Sequence, residues 1–214
     1  MFSEQVFSKQ QLHEATELRH KLHQNPELKF QENDTARLVA KRLSELGYQV
    51  TEGIATTGVM AELDTGREGP VLAFRADMDA LPINETNAFA HRSQREGLMH
   101  ACGHDGHTAT LLLAAETMMA MQDELCGHIK LLFQPGEEGG NGADLMVKAG
   151  VLQNPQVDAG FGYHNRPGFP AGQLFVKPGP AMGGNDTYKV TIEGVSGHAA
   201  MPHLAVDPIY IGSS

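Results

Sequence analysis

The run Val71–Arg75 (V-L-A-F-R) is apolar up to its last residue, as a strand buried on both faces would be. The segments around it alternate between helical and strand patterns. Lys9–His23 places Leu12, Ala15, Leu18 and Leu22 on one side, and Asn25-Pro26 ends it. Asn33–Leu46 has a stripe of Leu38, Val39, Leu43 and Leu46, and Gly47 stops it as a C-cap glycine does. Tyr48–Glu52, Gly58–Leu63, His128–Phe133, Val157–Tyr163 and Gln173–Lys177 read as further strands. Asp105 or Thr108 is expected to cap a helix running to about Met121, and Gly142–Lys148 forms a short helix before Gly150. This alternation argues for an α/β sandwich.

Composition shifts at Pro178–Gly184 (P-G-P-A-M-G-G), which reads as a hinge. Beyond it, Thr187–Glu193 alternates as a half-exposed strand of a new sheet would, and Pro208 opens a helix at Asp207–Ile211. Two domains are therefore expected, at 1–182 and 183–214. The second is expected to be incomplete, because Ser214 falls inside a helix.

The 214 residues are 41% hydrophobic and 20% charged, a globular balance with enough chain for a core. The net charge is -10, and no Lys/Arg stripe is present, which argues against a nucleic-acid partner. The longest apolar runs, such as Leu111–Ala115, fall far short of the roughly 20 residues of a membrane span. The N-terminus shows no charged region followed by an apolar stretch, so a reducing cytoplasm is the expected location. Two cysteines make no disulfide framework and leave Cys102 available as a thiolate ligand. The 11 histidines cluster, which points to metal or proton chemistry.

The densest cluster is Met99–Thr108, M-H-A-C-G-H-D-G-H-T. Cys102 and His104 lie one glycine apart before a helix, where a thiolate and an imidazole can reach one metal ion. A buried structural cysteine beside surface histidines is the other reading. Glu137-Glu138 follows a strand within Q-P-G-E-E-G-G. Adjacent carboxylates can divide labour, one binding metal and the other accepting a proton from water; a solvated acidic turn is the alternative. Asp77 and Asp79 follow the strand Val71–Arg75, and His164 follows Val157–Tyr163. Both positions face the usual ligand crevice of an α/β sheet. His198 lies past the hinge and would reach such a site from a moving domain or another subunit.

In order and spacing, R-A-D-M-D-A-L-P, M-H-A-C-G-H-D-G-H-T, F-Q-P-G-E-E-G-G, G-Y-H-N and G-H-A-A-M-P-H resemble the metal-dependent amidohydrolases. These include hippurate hydrolases, N-acyl-amino-acid amidohydrolases and auxin-conjugate hydrolases, within the co-catalytic zinc metallopeptidases. L-R-H-K-L-H-Q-N-P-E-L also looks like the family's first helix. The resemblance implies a three-layer α/β/α catalytic domain followed by an α+β lid or dimerisation domain. It implies two divalent metal ions (Zn, Mn, Co or Ni) held by Cys102, His104, Glu138 and His164. Glu137 would be the general base, Asp79 would orient a ligand from behind, and His198 would help hold the oxyanion. The implied substrate is a small N-acyl amino acid, and the implied full-length assembly is a homodimer or larger, with no membrane partner. Asp77 and His107 are left without a firm role.

Family members are close to twice this length, and the absent part supplies one more metal-binding histidine and much of the substrate pocket. Arg166 stands where an aromatic is common. Two alternatives follow: a metal-binding fragment without turnover, and a dipeptidase or carboxypeptidase of the larger group.

Overall fold

The computed structural model describes residues 7–181, 183–184 and 186–214. The chain divides into two compact units between Pro167 and Gly168, ahead of the change in composition at 178–184.

The first unit is built on a five-stranded sheet: β1 (Gln49–Ile54), β2 (Gly58–Asp64), β3 (Val71–Asp77), β4 (His128–Gln134) and β5 (Ala159–Gly162). The spatial order is β1-β2-β4-β3-β5. β1 and β2 run antiparallel, as do β2 and β4, whereas β3 is parallel to both β4 and β5. Parallel neighbours require crossovers, and α3 (His104–Ala120) is the one between β3 and β4. The carboxyl ends of β3 and β4 are level, with Asp77 paired to Gln134.

Two cores flank the sheet. On one face, α1 (Lys9–Gln24), α2 (Asn33–Leu46) and α3 bring Leu18, Leu22, Val39, Leu43, Leu112 and Ala115 onto Val59, Ala61, Ala76, Leu131 and Phe133. On the other, α4 (Gly142–Lys148) brings Met146 onto Ala73, Leu132 and Val151. This is a three-layer α/β/α arrangement. β3 sends Phe74 and Ala76 to one core and Ala73 to the other. β4 is the more completely buried strand, and it encloses Lys130, whose ammonium donates to the carbonyls of Val151 (3.3 Å) and Gln153 (2.7 Å). Those bonds offset the desolvation of a buried cation.

Both ends of α1 are settled locally: Ser8 and Gln11 form a reciprocal capping box, and Asn25 closes it. Gly47 ends α2 in the left-handed region, as expected. α3 departs from expectation. It begins at His104, and neither Asp105 nor Thr108 caps it. The Asp105 carboxylate is instead buried against His23 (3.0 Å) and Arg19 (3.2 Å), and the Thr108 hydroxyl donates to the Asp77 carbonyl. Gly103, at φ 88, turns the chain into the helix.

In the second unit, the Asp207 carboxylate caps α5 (Pro208–Ser213), and Val195 bridges Val206. The strands expected at Gln173–Lys177 and Thr187–Glu193 do not form among the described residues. Their alternating apolar side chains are open to solvent, with Leu174, Val176, Tyr188 and Val190 all at least 80% exposed. Alternation marks a segment fit for a ladder, but a strand exists only where a partner pairs with it. No described helix is long and apolar enough to cross a membrane.

Candidate metal centre

Four chain segments converge at the carboxyl ends of the parallel strands. β3 delivers Asp77 and, two residues on, Asp79. The turn into α3 delivers Cys102 and His104. The loop after β4 carries Glu137 and Glu138, and the segment after β5 carries His164. This edge is where an α/β sheet gathers ligand-binding groups.

His104 is fully buried, and its ring orientation is set from behind. Its Nδ1–H donates to the backbone carbonyl of Asp79 at 2.7 Å, with the Asp79 carboxylate also 3.3 Å away. Nε2 is then the lone-pair nitrogen, and it has no hydrogen-bond partner. It lies 3.5 Å from Asp77 Oδ2 and 3.9 Å from Glu137 Oε2. His164 repeats the pattern: Nδ1 bonds to the carbonyl of Asn165 (2.6 Å), and Nε2 faces Cys102 Sγ at 3.6 Å. Two imidazoles thus aim the same kind of nitrogen into one space.

The acidic loop is held equally firmly. The Asp79 carboxylate accepts the backbone N–H groups of both Glu137 (3.0 Å) and Glu138 (2.9 Å). Glu32, just ahead of α2 and fully buried, accepts from the Gly136 N–H at 2.8 Å and from the Thr57 hydroxyl. The Phe30 ring lies so close to Gly136 that a Cβ there would come within 2.7 Å of it. The Lys29 ammonium binds the Glu138 carbonyl at 2.8 Å.

The ligand atoms of Cys102, His104 and His164 fall within 4.8 Å of one another, as do those of His104, Glu137 and Glu138. Asp77, His104 and His107 form a third such group. Four carboxylates converge on this small volume. Burial, then the charges of Glu138, Glu137 and Asp77, push the Cys102 thiol up to about 11. Burial likewise raises Glu138, against the pull of His104. Burial also works against ionised Asp77, but the bond from His107 and the charges of His104 and Arg75 prevail and bring it down to about 2. Burial lowers His104, but its bond to Asp79 and the charge of Asp77 outweigh that and raise it. A thiol, the unpartnered imidazole nitrogen of His104, the inward-facing nitrogen of His164 and surplus carboxylate oxygens make a donor set suited to a divalent cation.

Cys102, His104, Glu137, Glu138, His164 and Asp79 meet in the first unit. His198 lies in the second, where its Nδ1 accepts from the Ala200 N–H (3.2 Å). Glu32, Phe30 and Asn165 escaped the sequence reading. Glu32 resembles any acidic residue before a helix, and only its distant partner, 104 residues on, reveals it. Asn165 was visible only as the last letter of G-Y-H-N.

Over residues 73–209 the chain matches peptidase family M20/M25/M40. The chain belongs to this family. It is 43% identical over 200 residues to the hippurate hydrolase of Campylobacter jejuni, covering 94% of this chain and 52% of that protein. It is 47% identical over 197 residues to the N-acetyl-L-cysteine deacetylase of Bacillus subtilis, covering 92% and 47%. Among solved structures it is similar to a dinuclear metal binding peptidase of the M20 family from Bacillus subtilis. The TM-score is 0.77 at 40% identity, covering 81% of this chain and 48% of that one. The M20 chain described here thus spans about half the length of the curated relatives it matches.

Proposed function

We propose that this chain carries the metal-binding and general-base portion of an amidohydrolase site acting on N-acyl amino acids of the hippurate type. The observation that supports it most is the buried His104 Nε2, which lacks a partner amid Cys102, Glu137, Glu138 and His164. Cys102, His104, Glu138 and His164 would hold two divalent ions, with zinc, manganese, cobalt or nickel matching the mixed donors. Bound there, the ions supply Lewis acidity toward water and toward the amide carbonyl.

The protein's part is positioning and proton transfer. Glu137, with its side chain more than a third exposed, takes a proton from the attacking water and delivers it to the leaving amine nitrogen. The water oxygen bonds to the carbonyl carbon, and the carbon–nitrogen bond breaks. Asp79 fixes the heights of Glu137 and Glu138 through their N–H groups and steadies His104. His198 would donate to the developing oxyanion from a moving domain or another subunit. In this reading residues 1–182 belong to the catalytic domain and 183–214 to a lid through which the whole protein forms a homodimer or larger assembly. Both cysteines are free thiols, in keeping with a reducing cytoplasm.

The test is release of glycine from N-benzoylglycine with each ion in turn. Hydrolysis abolished by a chelator and by Glu137→Gln supports the reading. A second reading is metal binding without turnover. Bound metal with no rate above background selects that one, and failure to bind any of the four ions overturns both.

A further inference from the structure

His107 is the third histidine of M-H-A-C-G-H-D-G-H-T, and the chemistry above does not use it. It is fully buried, and both its nitrogens are engaged. Nδ1 donates to Asp77 Oδ1 at 2.6 Å. Nε2 is engaged by Asn165 on two sides, 3.0 Å from its backbone nitrogen and 2.6 Å from its side-chain Oδ1. A ring so committed on both sides has no lone pair left for a metal ion, although its position would allow one.

Asp77 is itself fixed. Arg75 Nη1 lies 2.9 Å from its second oxygen, and the Thr108 hydroxyl binds its carbonyl at 2.9 Å. A rigid chain of contacts therefore runs from β3 through Asp77 and His107 to the backbone of residue 165. The same residue has a second duty through its other peptide unit. The carbonyl of Asn165 is the acceptor for His164 Nδ1, the bond that turns His164 Nε2 toward Cys102. The His107 ring also stands against the His164 ring, with centroids 4.6 Å apart at 63°. Gly103 leaves the room this needs, since a Cβ there would meet the Asn165 side chain at 2.6 Å.

We infer that Asp77 and His107 are positioning residues for His164: together they anchor the Asn165 backbone whose carbonyl aims the His164 ring. The inference rests on the proposed reading of His164 as a metal ligand. A buried carboxylate–imidazole pair gives a stiffer support than a solvated loop, because neither partner can rotate away without losing its bond.

Cobalt(II) is the probe, titrated into the full chain and followed by the near-ultraviolet charge-transfer band of its thiolate complex. Wild type binding that is lost in Cys102→Ser establishes the metal reading on its own. His107→Ala and the near-isosteric Asp77→Asn are then compared in two backgrounds, wild type and His164→Ala, with circular dichroism recording the fold of each. The expected result is about a tenfold or greater loss of cobalt affinity in the wild-type background and almost none once His164 is absent. A merely structural role would weaken binding equally in both backgrounds, and that result, or unchanged affinity, overturns the inference while leaving the metal reading intact. If His107→Ala does not fold, Asp77→Asn decides alone by the same comparison. Failure of the wild-type chain to bind cobalt overturns the reading and the inference together.

Discussion

The Glu32 carboxylate accepts the backbone N–H of Gly136 at 2.8 Å, joining the start of α2 to the loop that carries Glu137 and Glu138. Removing it strands a buried amide and the Thr57 hydroxyl. Glu32→Ala is therefore expected to destabilise the protein by about 2–4 kcal/mol, given about 1–3 kcal/mol for each buried group left without a partner. Urea unfolding measures it. A loss below about 0.5 kcal/mol would show that the loop holds its own shape.

Gly103 is the second point where the backbone is tightly specified. Its φ of 88 and its contact with Asn165 both exclude a side chain. Gly103→Ala is expected to cost about 1–3 kcal/mol in backbone strain, with a further cost from displacing Asn165. A melting temperature within a degree of wild type would contradict this.

Tyr48 gives a pH dependence far from the site. Its hydroxyl donates to the Ala115 carbonyl at 2.9 Å, and burial pushes the phenol up to about 12. The unfolded chain ionises near 10, so the folded state holds the proton longer and stability falls as pH rises from 10 to 12. The loss attributable to Tyr48 is up to about 3 kcal/mol. Tyr48→Phe should lose about 1 kcal/mol at pH 8 yet show a shallower decline above pH 10. Denaturant midpoints at pH 8 and pH 11 for both proteins test it, and parallel declines would refute it.

Under the proposed metal reading, ions bind the folded chain better than the unfolded one. Zinc at about 100 times its dissociation constant should add about 2.7 kcal/mol of stability, and a chelator should remove it. Thermal unfolding of wild type and Cys102→Ser, each with zinc and with chelator, reads the effect. Equal zinc shifts in the two proteins would exclude Cys102 as a ligand.

What could be read from the sequence was local. Asn33–Leu46 was found to the residue because its stripe and the Gly47 stop lie within one window, and Gly142–Lys148 likewise. The ligand-type residues were legible because each follows a strand or opens a helix. What could not be read depends on distant partners. Nothing beside Asp105 shows that His23, 82 residues earlier, takes its carboxylate from the cap of α3. Nothing beside Glu32 shows that its partner is Gly136. Thr187–Glu193 failed in the opposite sense: its pattern is right for a strand, but no described neighbour supplies the ladder.

The acceptors that orient His104 and His164 are main-chain carbonyls, those of Asp79 and Asn165. A carbonyl does not titrate at any ordinary pH, and no side-chain replacement deletes it. The aim of both rings is therefore stored in the course of the polypeptide, which for His164 is in turn held by the Asp77 and His107 side chains.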